Sequence, residues 1–178
     1  MDLERVYDSN TILKDVSKMS ETVIYGVKLN GEVEFVGETR NAWKGAMHVW
    51  TNLAKAYAVE EGLELERFRN LWRMTDKGIL TDFENIVMKS TFDNVIVKKE
   101  DIPKLVDAFR QYDKKYPNSS LLEQANIIEG DILNDQEMMG VCWNQTSINR
   151  NPWVDGYDEE NEEYIPYNVQ CGNRHWYL

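Results

Sequence analysis

The sequence predicts an α+β fold. A single domain over residues 1–178 holds a small mixed or antiparallel sheet with an N-terminal β-hairpin at 22–37, packed against several helices. A long irregular, aromatic-rich segment follows over 144–178 and is expected to pack on that body. Three observations carry this prediction. The spacing of apolar residues switches between two and 3.6 along the chain, so strands and helices alternate without an internal repeat. Asn30-Gly31 stands between two alternating runs, the pattern of a tight hairpin turn. A chain of 178 residues, 42% hydrophobic and 29% charged, suits one core rather than two.

Each element has its own reason. Ile12, Leu13, Val16 and Met19 form a helical stripe over 11–19. Thr22–Leu29 alternates, with Val23, Tyr25, Val27 and Leu29 on one face. Glu32–Gly37 returns with Val33 and Phe35 on one face, and Val23, Tyr25, Val33 and Phe35 are expected to be mostly buried. A type I′ turn at Asn30-Gly31 would join them. Ala46, Trp50, Leu53 and Tyr57 mark the inner face of a helix over about 41–57. A more polar helical stretch covers about 60–73 and breaks at Gly78. Thr81-x-x-Glu84 reads as a capping box, opening a short helix with Phe83, Ile86 and Val87 inward. Val95-Ile96-Val97 is the β-branched run of a strand covered on both faces.

Asp101 and Pro103 open a helix whose stripe is Ile102, Leu105, Val106, Phe109 and Tyr112, and Pro117 ends it. Ser120-x-x-Glu123 reads as another capping box, ahead of Leu121, Ala125, Ile128 and Ile132. Gly140 precedes a last strand, Val141-Cys142-Trp143. Beyond it no helical stripe is found. Trp143, Trp153, Tyr157, Tyr164, Tyr167, Trp176 and Tyr177 set the segment apart from a disordered tail, which lacks aromatics.

Charge narrows the function. Twenty bases against thirty-one acids leave a net of -11, which argues against direct nucleic-acid binding. The excess is local, because six of the acids lie between Asp155 and Glu163 with no base among them. No apolar run reaches the roughly 20 residues of a membrane span. The charged N-terminus lacks the apolar core of a signal peptide, so a cytoplasmic protein without membrane association is expected.

No catalytic or cofactor motif stands out, and no cofactor or metal is expected. Cys142, Cys171 and His175 are the only residues that suggest zinc, but a structural site wants four ligands with a close Cys pair. Cys142 lies mid-strand, a packing position rather than that of a nucleophile. No phosphate-cradling glycine loop is present. Asp82 and Glu84 are accounted for by a helix start. The polar run Asn144–Asn151 follows a strand, where binding loops often sit.

Val23-Ile24-Tyr25, a short turn, Phe35-Val36-Gly37 and then Arg40 and a helix resemble the opening hairpin of the GIY-YIG nuclease family, over residues 23–48. That resemblance implies a site of two tyrosines, a helix arginine and a later metal-binding glutamate. Tyr25 matches the first tyrosine. Phe35 replaces the second, Gly45 stands where the helix arginine belongs, Arg40 comes too early, and no glutamate is placed. Loss of a phenol and a guanidinium removes nucleophile activation and a charge partner for the transition state, so the resemblance implies an inactive relative.

The reading adopted is a non-catalytic acidic interaction protein: an inhibitor, an immunity factor or a DNA mimic that docks on a basic protein surface. Its binding residues are Trp153, Asp155, Tyr157, Asp158, Glu159, Glu160, Glu162, Glu163 and Tyr164, with carboxylates steering and aromatics anchoring. The alternative is an enzyme whose residues converge only in three dimensions, drawn from Arg40, His48, Asn144, Arg150, Arg174 and His175, or the degenerate GIY-YIG-like domain.

Overall fold

The computed structural model describes residues 22–39, 46–58, 74–75, 78–92, 95–117, 119–145, 151–171 and 175–176. The helices expected at 11–19 and 60–73, and the start of the one expected from 41, lie outside these residues. The chain is α+β, with a five-stranded sheet, a separate two-stranded sheet and helices on one side.

The order begins with β1 (Thr22–Lys28), β2 (Val33–Thr39) and α1 (Ala46–Leu53), which runs on as a π-helical turn, Ala54–Ala58. Next come α2 (Asp82–Ser90), β3 (Val95–Lys98), a 3₁₀ turn and α3 (Ile102–Lys115). Then α4 (Ser119–Ile127) continues into a π-helical turn, Ile128–Leu133, ahead of β4 (Met138–Asn144). The C-terminal part contributes β5 (Val154–Asp158), β6 (Glu163–Pro166) and β7 (His175–Trp176). The main sheet runs β2-β1-β4-β3-β7, antiparallel except for a short parallel contact between β3 and β7.

Strand alternation gives the sheet two faces with different covers. Ile24, Val95, Val97, Val141 and Trp143 point into the helices and join Val49, Leu53, Val87, Leu105, Phe109 and Ile128 in the larger core. Val27, Val33, Ile96 and Cys142 point the other way and pack with Trp153 and Val169 from the C-terminal segment. Val95-Ile96-Val97 is therefore buried throughout because it serves both cores.

A buried polar chain ties α4 to the sheet. Thr39 and Ser120 share a hydrogen bond of 2.7 Å, Gln124 donates to Ser120 at 3.3 Å, and Trp143 Nε1 donates to Gln124 at 3.1 Å. The capping box expected from Ser120 and Glu123 does not form. α4 begins one residue earlier, so Ser120 lies inside the helix facing Thr39, while Glu123 is exposed. At Thr81 the expected capping box is present.

The hairpin departs from the sequence reading in two ways. Its loop has three residues, Leu29-Asn30-Gly31, closed by Gly31 N–H to Lys28 O at 2.8 Å and Lys28 N–H to Glu32 O at 2.9 Å. Gly31 has φ +88°, whereas Asn30 is not in the left-handed region, so the turn is not type I′. Any Cβ at Gly31 would also strike Asn168, which is where the C-terminal segment crosses the turn. The second departure is Phe35, expected to be buried but 56% exposed. Val33, on the same face, is covered by the C-terminal segment, which does not reach as far as Phe35.

The C-terminal segment is also more regular than expected, because β5 and β6 pair into a hairpin of their own. It is held back on the body by Val33 N–H to Tyr167 O at 3.0 Å and Val169 N–H to Gly31 O at 2.8 Å, while Tyr167 N–H to Trp153 O at 2.9 Å ties the segment to itself.

Candidate functional site

The partial cover of the second sheet face leaves a groove. One wall is the sheet itself. Tyr25 and Phe35 are cross-strand partners whose rings meet edge to face with centroids 6.4 Å apart. The Tyr25 hydroxyl accepts a 2.5 Å hydrogen bond from Asn151 Nδ2. Burial raises the Tyr25 pKa, and that bond only partly offsets the rise, so the phenol stays protonated. The other wall is the C-terminal hairpin, where Tyr157 pairs with Tyr164 across the strands, ring centroids 5.2 Å apart and planes at 67°. Buried Trp153 lies beneath, anchored by Nε1–H donating to Trp143 O at 2.6 Å. The space between the walls is about 810 Å³, within the range of ligand pockets.

Five of its eleven lining residues are aromatic. Polar groups come from the tyrosine hydroxyls, Asn151 and the Asp155 carboxylate, and no cationic side chain is among the described residues that line it. Phe35, Tyr157 and Tyr164 are 56%, 50% and 73% exposed. Large rings left in water this way, grouped around one concavity, distinguish the region from the scattered apolar surface of any protein.

The acidic run forms the end of the same hairpin. Asp158 accepts the Glu160 N–H at 2.9 Å, the Asn161 N–H at 3.3 Å and Asn161 Nδ2 at 2.8 Å. These bonds, that from the Asn161 side chain foremost, hold its pKa below the usual range. Glu162 takes φ +54° to close the turn. Glu159, Glu160, Glu162 and Glu163 are exposed, and among the described residues none of the six acids makes an ion pair.

The residues expected from sequence thus divide. Asp155, Tyr157 and Tyr164 come together on the groove wall. Glu159, Glu160, Glu162 and Glu163 fringe it on the turn, and Asp158 builds that turn. Trp153, expected as a docking residue, is 1% exposed and supports the groove from within the core. Tyr25, Phe35 and Asn151 were not among the expected docking residues. The shared strand parity of Tyr25, Val33 and Phe35 is the sequence feature that groups the first two.

The residues named for an enzyme are not brought together among the described residues. His48 lies on α1, hydrogen-bonded to Asn52 at 3.1 Å, on the helical side of the sheet. Asn144 ends β4, whereas Arg40, Arg150 and Arg174 lie outside the described residues. Cys142 is buried and Cys171 exposed, both as free thiols. No group of three or more His, Cys, Asp or Glu able to hold a metal occurs among the described residues.

One buried acid does more than the capping its sequence position predicts. Glu84 is fully buried and accepts from Tyr57 OH at 2.5 Å, Lys115 Nζ at 2.7 Å, Tyr116 OH at 3.0 Å and Thr81 N–H at 3.0 Å. Burial pushes its pKa up, but Lys115, Tyr57 and Thr81 together pull it down to about 2. Burial and the same carboxylate push Tyr57 up to about 12. With four protein donors on one carboxylate, the cluster fastens α1, α2 and α3 to one another.

No protein-family model, curated protein or solved structure matches the chain. No described helix is long and apolar enough to cross a membrane. Fold and site together define the molecule as an α+β protein with an open, acid-fringed aromatic groove.

Proposed function

We propose that the chain is a non-catalytic interaction protein that docks on a basic protein surface, as an inhibitor, immunity factor or DNA mimic does. The observation that carries this reading is the groove of exposed aromatic rings beside an acidic turn whose carboxylates lack ion-pair partners among the described residues. Aromatic anchors supply contact area at low entropic cost, and unpaired carboxylates steer a cationic partner toward them. Two free cysteines, one of them exposed, suit a reducing compartment such as the cytoplasm.

The alternative, a degenerate GIY-YIG-like nuclease domain, draws on the place of Tyr25 in the groove. The carboxylates fringing that groove disfavour it, since they repel a phosphodiester backbone.

The test is titration of a Lys/Arg-rich peptide against the protein, with a Gln-substituted peptide of equal length as control. The variant carries Asp155→Asn, Glu159→Gln, Glu160→Gln, Glu162→Gln and Glu163→Gln. Asp158 is kept because it holds the turn. The wild type is expected to bind the basic peptide with an affinity that falls as salt rises, and the variant to bind about ten-fold more weakly with an unfolding midpoint no lower than that of the wild type. Equal binding of the control peptide, or undiminished binding by the variant, overturns the proposal.

A further inference from the structure

The docking reading leaves open which cation the groove takes. We infer that it is built for the guanidinium of an arginine on the partner, seated against the Tyr157–Tyr164 pair with Asp155 as its carboxylate. This rests on the docking reading and deepens it.

Asp155 and Tyr157 lie two residues apart on β5, where the extra residue of a bulge interrupts the pairing with β6, and both are exposed and line the groove. Their side chains leave the strand about 7 Å apart, which one arginine side chain can span. Tyr164 stands directly across from Tyr157, adding a second ring. The 67° angle between the rings sets one partly edge-on to the other, and at 50% and 73% exposure neither is closed off from the groove. Phe35 offers a third exposed ring from the opposite wall.

That combination fits a guanidinium better than an ammonium. A guanidinium is planar, stacks on an aromatic face while its edge donates two parallel hydrogen bonds to a carboxylate, and is weakly hydrated. A lysine ammonium holds its water more tightly and meets a carboxylate as a point charge. Charge complementarity supports the same occupant, because the lining carries a carboxylate and no cation among the described residues, and the turn beside it adds more carboxylates.

The experiment compares two peptides of the same length and charge, one with every base arginine and one with every base lysine. Each is titrated into the full chain and into a Tyr157→Leu, Tyr164→Leu variant. Both tyrosines are exposed, so the fold is expected to survive, as circular dichroism checks. The wild type is expected to bind the arginine peptide about ten-fold more tightly than the lysine peptide. In the variant the preference should shrink to about two-fold while salt-dependent binding of both peptides persists. Equal binding of the two peptides by the wild type overturns the arginine assignment and leaves the docking reading standing. A preference that survives in the variant overturns the placement on these rings. Binding of neither peptide overturns both the assignment and the docking reading.

Discussion

Glu84 shows how much one side chain can hold. Its position three residues after Thr81 is legible as a capping box, and that reading is right as far as it goes. The remaining partners, Tyr57, Lys115 and Tyr116, lie 27 to 32 residues away on other elements, beyond the reach of local spacing. A buried carboxylate with this many donors contributes stability that depends on pH in a defined direction. The folded pKa lies below the ordinary value of 4.5, so the contribution is complete above 4.5 and lost as pH falls toward 2. The shift corresponds to roughly 3 kcal/mol. Glu84→Gln should therefore lower the unfolding free energy at pH 7 by about 3 kcal/mol. It should also flatten the decline of stability between pH 4.5 and 2. Urea unfolding of both proteins across that range checks this, and parallel acid profiles would show that the carboxylate is not ionised in the fold.

At the scale of elements, the two sheet faces account for what was legible. The helical stripe of α3 is recognisable because one core selects apolar residues at a fixed period, and the Val95–Val97 run because a core on each face selects apolar residues without a break. The β5–β6 hairpin is not, since Val154-Asp-Gly-Tyr-Asp and Glu-Tyr-Ile-Pro face water on at least one side and pair only with each other. The aromatics of this segment did point to a return onto the body, and Trp153 is where it takes hold. Cys142 belongs to the same buried cluster and reports on that contact. In the wild type, Ellman's reagent should label exposed Cys171 quickly and Cys142 only as the molecule opens. Trp153→Ala removes a fully buried ring and its bond to Trp143 O, which costs about 3–5 kcal/mol. Labelling of Cys142 should then accelerate about ten-fold or more under native conditions. An unchanged rate would mean that the C-terminal segment does not cover this face in solution.

For the whole molecule, the decisive quantity is where the charge lies. The net of -11 was legible from composition, as was its concentration between Asp155 and Glu163. The groove was not, because it is defined by how far the C-terminal segment extends over a sheet face, and no periodicity encodes that distance. The acids sit at the end of a two-stranded sheet, where Asp158 alone has been drawn into the turn and the other five are left to repel one another. Repulsion between exposed charges is screened over about 10 Å at 0.1 M salt and reaches about 30 Å at 0.01 M. The wild type should therefore gain stability as salt rises, because ions relieve a strain that the fold itself does not. Replacing Asp155, Glu159, Glu160, Glu162 and Glu163 by their amides removes five of the eleven excess negative charges while sparing the turn bonds of Asp158. That variant should melt about 2–4 °C higher than the wild type near 0.01 M salt, with the gap closing by about 0.3 M. Calorimetric melting curves at the two salt concentrations decide it. A wild type that loses stability with added salt would show that these carboxylates are held by attractive pairs, and a strip already satisfied within its own fold has no charge to offer a partner.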